Sequence, residues 1–138
     1  MTLTSAIHHH DRWVNTTSGR IFTRTWEPHS ARSDVPIVLF HDSLGCVDLW
    51  RSFPAALCAA TRQRVIAYDR LGFGRSDAYP MSLPLSFIDD EPTGSFAALR
   101  EAYQITRFIA LGHSAGGCMA VHCAGAVSYT HLTLPTIY

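Results

Sequence analysis

Three short runs of the chain are apolar at every position, and this feature limits the possible folds more than any other. They span residues 37–40, 65–68 and 108–111, with the sequences Ile-Val-Leu-Phe, Val-Ile-Ala-Tyr and Phe-Ile-Ala-Leu. A strand that is apolar on both faces needs cover on both faces, as in a parallel sheet packed between helices. The runs therefore predict buried parallel strands.

Helical patterns lie between and after these runs. Residues 48–60 carry leucine and aromatic side chains near helical spacing, with Asp48 placed to cap a helix. Residues 95–103 repeat large apolar side chains at i, i+3 and i+7, and the small-residue stretch 114–126 follows the last strand directly. We expect one helix in each of these three segments.

A hairpin precedes the parallel strands. Residues 13–15 and 20–26 alternate well enough for two antiparallel strands, joined by a turn at residues 17–19. A hairpin followed by β-α-β-α-β-α predicts an α/β fold with helices on both faces of the sheet. Residues 78–94 contain three prolines and the acidic run 89–91, which predict a solvated loop whose charge precedes a helix N-terminus.

Composition excludes several classes of function. The 138 residues suffice for one domain, and a net charge of zero gives no electrostatic reason to expect nucleic acid or an anionic membrane as partner. All eleven basic residues are arginine, which removes a P-loop lysine, a Schiff-base lysine and a Ser-Lys catalytic pair. Residues 72–74 supply only two glycines of a dinucleotide-binding fingerprint, so a nucleotide-binding protein is disfavoured.

The cysteines and the N-terminus bear on location. The four cysteines lack CxxC spacing, so we expect buried free thiols rather than disulfides or a metal site. We expect residues 1–11, with three consecutive histidines, to be a flexible terminus. The sequence has no apolar signal core and no run of about 18 apolar residues, which predicts a cytoplasmic protein without metal, cofactor or membrane contact.

The strongest chemical signal lies at residues 111–117, Leu-Gly-His-Ser-Ala-Gly-Gly. This G-x-S-x-G pattern stands where an apolar strand ends and a helix begins. A serine on so sharp a turn adopts a strained conformation that projects its hydroxyl from the sheet edge, and neighbouring side chains would collide there. The pattern predicts Ser114 as a nucleophile and requires glycine at Gly112 and Gly116.

Two further loops carry a family resemblance. His-Asp-Ser-Leu-Gly at residues 41–45 follows the first apolar run, and Tyr-Asp-Arg-Leu-Gly-Phe-Gly-Arg-Ser-Asp at 68–77 follows the second. Together with the serine turn, these motifs make residues 12–126 resemble the α/β-hydrolase family. The resemblance implies the N-terminal half of that fold, ending after the helix that follows the nucleophile elbow.

The resemblance also implies roles for individual residues. The backbone N–H groups of Ser43 and Ala115 would form the oxyanion hole, and loop 68–77 would be structural. Asp42 stands where glycine is commoner in the family, and we expect its carboxylate to point away from the developing oxyanion. Structural roles are expected for five further residues: His41 and Gly45 in loop 41–45, and Gly112, His113 and Gly116 in the serine turn.

The catalytic set is incomplete in this sequence. In the family the order is serine, then acid, then histidine, but no Asp or Glu follows Ser114 here and only His122 and His131 do. His122 lies about 12 Å along the helix and is not expected to reach the serine. Residues 127–138 resemble a translated sequencing adapter, so we expect a non-native tail.

These observations predict a serine hydrolase of the esterase type. Ser114 would attack the carbonyl of a small-molecule carboxylic ester or lactone and form an acyl-enzyme, although the residues present are not expected to be active by themselves. An acyltransferase or a cofactor-free perhydrolase would share the same motifs. A non-catalytic binding protein of the same fold is the alternative from a different class, and the oligomeric state stays unassigned.

Overall fold

The chain folds around one mixed β-sheet of five strands. The structure is a computed structural model that describes residues 7–126, so the expected tail at 127–138 and His131 lie outside the described residues. The sheet has the order β1-β2-β4-β3-β5, in which β1, β2 and β4 pair antiparallel while β3 runs parallel to β4 and β5. The strands are β1 (His8–Thr16), β2 (Gly19–Glu27), β3 (Ile37–Phe40), β4 (Val65–Tyr68) and β5 (Ile109–Gly112).

Helices cover both faces of this sheet, as the three apolar runs predict. Side chains alternate along a strand, so Val38 and Phe40 face one core, whereas Ile37 and Leu39 face the other. The helices are α1 (Phe53–Thr61), α2 (Phe87–Asp90), α3 (Ser95–Tyr103) and α4 (Ala115–Gly125), with 3₁₀ turns at Val47–Trp50 and Glu91–Thr93. The first core is closed by helices α3 and α4 and the second by α1.

The predicted helix over residues 48–60 is broken in two. Arg51 adopts φ 54° and ψ −122° between the 3₁₀ turn and α1, so no continuous helix forms. Asp48 caps neither piece; its carboxylate lies 3.3 Å from Arg24 and 2.9 Å from Arg75 instead. The capping prediction is wrong because Asp48 lies inside the 3₁₀ turn, whose N-cap is Cys46, and α1 begins only at Phe53, whose N-cap is Ser52.

The expectation of a flexible terminus through residue 11 is wrong for residues 8–11. Strand β1 begins at His8, which pairs with Glu27 at the far end of β2. The Asp11 carboxylate accepts hydrogen bonds from Arg24 of β2 at 2.7 and 3.1 Å. Backbone pairing and this ion pair extend the hairpin beyond the part that shows apolar alternation.

The acidic run 89–91 is only partly solvated. Asp89 and Asp90 are exposed, but Glu91 is buried and its Oε1 accepts a hydrogen bond of 2.6 Å from the Tyr68 hydroxyl. The prediction of a solvated acidic loop is therefore wrong at Glu91, because β4 offers the carboxylate a buried donor. Burial raises the Glu91 pKa from its ordinary 4.5 to about 7.

The cysteines are all free thiols. Cys58 and Cys123 are buried in the two cores, as expected, while Cys118 is exposed and Cys46 is partly buried. Among residues 7–126, no group of three or more potential ligands is placed to hold a metal ion. None of the helices described between these limits has the length and apolarity required to cross a membrane.

Candidate active site

Ser114 lies on a strained turn between β5 and α4. Its backbone adopts φ 58° and ψ −122°, a region that residues with a side chain seldom occupy. Hydrogen bonds on either side hold the turn, from Gly116 N–H to His113 C=O at 3.0 Å and from Gly117 N–H to Ser114 C=O at 2.8 Å. The serine is exposed at the N-terminus of α4, where the helix favours negative charge.

Two glycines make this turn sterically possible. A Cβ atom at Gly112 would overlap the backbone of Gly116, and one at Gly116 would overlap the carbonyl oxygens of Phe40 and His41. At Gly117 a Cβ atom would meet only Gly112 C=O, at an ordinary contact of 3.6 Å. The collisions that the sequence pattern predicts thus occur at the two expected positions and not at the third glycine.

The loop after β3 is adjacent to this turn. Strands β3 and β5 are parallel neighbours with Phe40 opposite Gly112, and His113 N–H donates to Phe40 C=O at 3.2 Å. Because parallel strands end at the same sheet edge, the exposed Ser43 and the first residue of α4, Ala115, emerge side by side. The two amides of the expected oxyanion hole therefore belong to adjacent loops.

His41 braces the loop after β3 as a neutral imidazole. The ring is buried, and its Nε2 accepts a 3.0 Å hydrogen bond from Arg70 N–H. Since a backbone N–H can only donate, the ring proton must be on Nδ1, which donates to Asp42 C=O at 2.7 Å. Burial, assisted by the Arg70 charge, lowers the His41 pKa from 6.5 to about 4.

Arg70 is a site residue that the sequence pattern does not single out. Its guanidinium is buried and donates from Nη1 to His41 C=O at 2.6 Å and from Nη2 to Asp42 C=O at 2.9 Å. It also lies 4.8 Å from the centre of the Phe73 ring. The available signal was an arginine two residues beyond a fully apolar strand, at the sheet edge where the neighbouring strand also ends.

Asp42 turns its carboxylate toward the turn that carries Ser114, residues 112–116. Its Oδ2 lies 3.5 Å from His113 Nδ1, and its Oδ1 is buried without a hydrogen-bond partner among residues 7–126. A Cβ atom at Gly45 would overlap this Oδ1, so glycine at 45 makes room for the aspartate. The carboxylate therefore lies beside the residue that precedes Ser114 and does not turn away from it as expected, because the missing Cβ atom at Gly45 leaves room for it there.

Loop 68–77 is organised around the buried Asp69. Its Oδ1 accepts from Val47 N–H at 2.6 Å and its Oδ2 from Arg75 N–H at 2.9 Å. Burial raises the Asp69 pKa, and these two hydrogen bonds oppose the rise. Gly74 has φ 52°, and a Cβ atom there would overlap the Asp69 carboxylate. These contacts support the structural role expected for the loop.

His122 does not approach the serine. It is half-exposed on α4, and its Nε2 lies 3.2 Å from the Asp89 carboxylate of α2. Within residues 7–126, no histidine side chain hydrogen-bonds to the Ser114 hydroxyl. A cavity of about 450 Å³ also lies elsewhere, between loop 68–77 and the segment that holds Phe87 and Glu91, and Ser114 does not line it.

A mixed sheet covered on both faces, with a G-x-S-x-G turn joining a parallel strand to the helix that follows it, is characteristic of the α/β hydrolases. The chain belongs to this family: residues 35–127 match the family model described as alpha/beta hydrolase fold. The expected N-terminal half of that fold is confirmed by solved structures. An alpha/beta hydrolase from Novosphingobium aromaticivorans superposes with a TM-score of 0.73 at 22% identity, covering 88% of this chain and 41% of that one.

Other relatives include enzymes with named activities. A proline iminopeptidase from Mycobacterium smegmatis shows 27% identity and a TM-score of 0.70 over 83% of this chain and 39% of its own. The (lyso)-N-acylphosphatidylethanolamine lipase of Bos taurus is 36% identical over 73% of this chain and 29% of its own length. The 1-acylglycerol-3-phosphate O-acyltransferase ABHD5 of Sus scrofa is 33% identical over 67% of this chain. The chain spans 26% of that protein's length.

Proposed function

We propose that the protein is a serine hydrolase that cleaves carboxylic esters or lactones through an acyl-enzyme on Ser114. The observation that carries this proposal is the strained conformation of Ser114, an exposed serine at φ 58° and ψ −122° between a strand and a helix. Strain of this kind persists where the surrounding structure enforces it and is concentrated at functional sites. Here Gly112 and Gly116 provide the enforcement.

The proposed reaction follows acyl-transfer chemistry. Ser114 Oγ attacks the acyl carbonyl and gives its proton to a general base, forming a tetrahedral intermediate. The N–H groups of Ser43 and Ala115 donate to the oxyanion, and collapse of the intermediate expels the alcohol. Water then attacks the acyl-enzyme and releases the carboxylic acid. In the family order the acid and the base follow the serine, and we propose that both lie outside residues 7–126.

The substrate class follows from the acyl chemistry. One relative is named a lipase of an N-acyl phospholipid and another an O-acyltransferase of an acylglycerol phosphate. Both names contain an acyl group, which supports an acyl ester as the class of substrate.

Four free thiols favour a reducing compartment, so we place the protein in the cytoplasm. Recovery of the protein in the extracellular fraction of its source cells would contradict this location.

Fluorophosphonate labelling tests the nucleophile in the full-length protein. We expect covalent labelling of the wild type and none of Ser114→Ala. Ser82→Ala is the matched control, because Ser82 is an exposed loop serine. Equal labelling of wild type and Ser114→Ala would refute Ser114 as the nucleophile, and no labelling of any form would favour a non-catalytic binding protein.

An acyltransferase is the second candidate, supported by the 33%-identical relative that bears this name. The acyl-enzyme would then transfer its acyl group to an alcohol rather than to water. Product analysis with p-nitrophenyl butyrate separates the two activities. Butyrate as the main product with and without added 1-acylglycerol 3-phosphate supports the hydrolase, whereas diversion into an acylated glycerol phosphate supports the transferase.

A further inference from the structure

We propose that Arg70 is a positioning residue that orients the Asp42–Ser43 peptide so that Ser43 N–H faces the oxyanion. This inference rests on the proposed function, because it assigns a structural cause to one of the two oxyanion-hole amides. It adds a residue to the machinery that lies outside the elbow and outside the loop after β3.

The C=O of Asp42 and the N–H of Ser43 belong to the same peptide plane. The peptide is trans, as are the others described between residues 7 and 126, so its C=O and N–H point in opposite directions. Arg70 Nη2 binds the Asp42 oxygen at 2.9 Å, and His41 Nδ1 binds it at 2.7 Å. Gly45 N–H also donates to this oxygen, at 3.2 Å. Three donors, two of them from buried side chains, therefore hold the oxygen inward, which turns Ser43 N–H outward.

Arg70 is itself held rigidly. Its own N–H donates to His41 Nε2 at 3.0 Å, its Nη1 donates to His41 C=O at 2.6 Å, and its guanidinium stacks on Phe73. The His41 ring thus accepts from Arg70 on one side and donates to Asp42 on the other. Each contact fixes the next, so a small displacement of Arg70 would rotate the peptide that carries Ser43 N–H.

The positive charge adds a second effect. A guanidinium on the Asp42 carbonyl polarises the amide and makes its N–H a better donor to developing negative charge. Lysine would preserve the charge but cannot reproduce the planar fork that binds two adjacent carbonyl oxygens. The proposal therefore distinguishes the geometry of arginine from its charge.

Steady-state kinetics on the full-length protein test this role, with p-nitrophenyl butyrate as substrate. We expect Arg70→Ala to lower kcat about 100-fold, as loss of one oxyanion donor does, with KM changed less than about threefold. Arg70→Lys should lose an intermediate amount. Arg107→Ala is the matched control, because Arg107 is an exposed arginine, and it should behave as the wild type.

Two further readouts separate positioning from general structural damage. Guanidinium ion at millimolar concentration should restore part of kcat to Arg70→Ala and none to the Ser114→Ala variant. A butyryl trifluoromethyl ketone, which mimics the oxyanion when bound, should bind Arg70→Lys more weakly by about the same factor as kcat falls.

The outcomes are decisive in both directions. Unchanged kcat in Arg70→Lys and Arg70→Ala would overturn the proposal, as would parallel losses in kcat and 1/KM without guanidinium rescue. If Arg70→Ala fails to fold, Arg70→Lys and the ketone decide by themselves. Absence of any Ser114-dependent turnover in the wild type would instead be a failure of the proposed function.

Discussion

The nucleophile turn and the loops beside it are built by opposite means. The turn, residues 112–116, exposes His113 and Ser114. It depends on the absence of side chains at Gly112 and Gly116, since a Cβ atom at either position would overlap neighbouring backbone. The loop cluster, which comprises His41, Asp42, Asp69 and Arg70, depends on the buried polar side chains of His41, Asp69 and Arg70, which bind backbone groups.

This difference shows how one sheet edge can hold two neighbouring segments by different means. A turn held by close backbone contact has little freedom to change shape, which keeps the Ser114 side chain directed outward. A loop held by side-chain hydrogen bonds has an orientation that depends on several donors acting together. We therefore expect the turn to respond to added volume and the loop cluster to respond to lost donors or acceptors.

The largest effect should come from adding one methyl group to the turn. Gly116→Ala places a Cβ atom against the carbonyl oxygens of Phe40 and His41, and we expect a loss of about 3 kcal/mol or more in unfolding free energy. A displacement of about 1 Å at Ser114 would also lower the labelling rate about 100-fold. Urea unfolding and fluorophosphonate kinetics on the full-length protein measure both.

Gly117→Ala is the control for that substitution. Its Cβ atom has an ordinary contact, and alanine in a helix is favoured over glycine. We expect unchanged or slightly higher stability and normal labelling. Equal damage from the two variants would show that the turn is not governed by the close approach of β3.

In the loop cluster, Asp69→Asn should have the next largest effect. The side chain accepts from Val47 N–H and Arg75 N–H, and an amide cannot accept both because one of its ends is a donor. We expect a loss of about 2 kcal/mol. Asp77→Asn, at a half-exposed aspartate that accepts from Arg20 N–H, is the control and should change the unfolding free energy by less than 1 kcal/mol. A stable Asp69→Asn protein would contradict the dependence on buried acceptors.

The free energy of unfolding should depend on pH through two buried titratable groups near Arg70, Glu91 and His41. Between about pH 4.5 and 7 the folded protein keeps a proton on Glu91 that the unfolded chain has released, so the Glu91 contribution to stability falls as the pH rises. His41 acts oppositely between about pH 4 and 6.5, where the unfolded chain holds the extra proton. The two contributions partly cancel in the wild type.

Glu91→Gln should remove the contribution of Glu91 to the pH dependence of the unfolding free energy and leave that of His41. The amide oxygen can still accept from the Tyr68 hydroxyl, so the variant should gain stability relative to the wild type as the pH rises from 4.5 to 7. We expect a gain on the order of 2 kcal/mol at pH 7 and above. Urea unfolding across this range measures it, with Glu101→Gln, at an exposed position of α3, as the control. A pH-independent difference would contradict a protonated Glu91.

The smallest effect concerns the contact between the two regions. Asp42 holds a carboxylate 3.5 Å from His113, next to Ser114, with one oxygen buried and unpartnered among residues 7–126. Asp42→Asn removes a negative charge that opposes the oxyanion, and we expect kcat to rise roughly threefold. Asp34→Asn, at an exposed position, is the control; a lower kcat in Asp42→Asn would show that the carboxylate assists the reaction.

Local sequence predicts most of the elements because their signals are contained within short stretches. Strands β3 and β4 and helix α3 have the predicted bounds, and β5 is shifted by one residue. The extension of β1 to His8 was not predictable in this way, because it depends on the backbone of β2. The break at Arg51 has a local signal that the prediction missed: Pro54 lies in the first turn of α1 and would disrupt a helix that ran continuously through residues 48–60.

By itself the sequence determines the α/β order of elements and the shape of the turn around Ser114. These features follow from residues next to one another, since apolar runs specify buried strands and two glycines permit one strained turn. Only the tertiary structure decides that Arg70 binds the loop of His41, 29 residues earlier, and that Glu91 meets Tyr68, 23 residues earlier. A polar side chain is interpreted as solvated until the fold places a buried partner beside it, and that placement is a property of the assembled sheet.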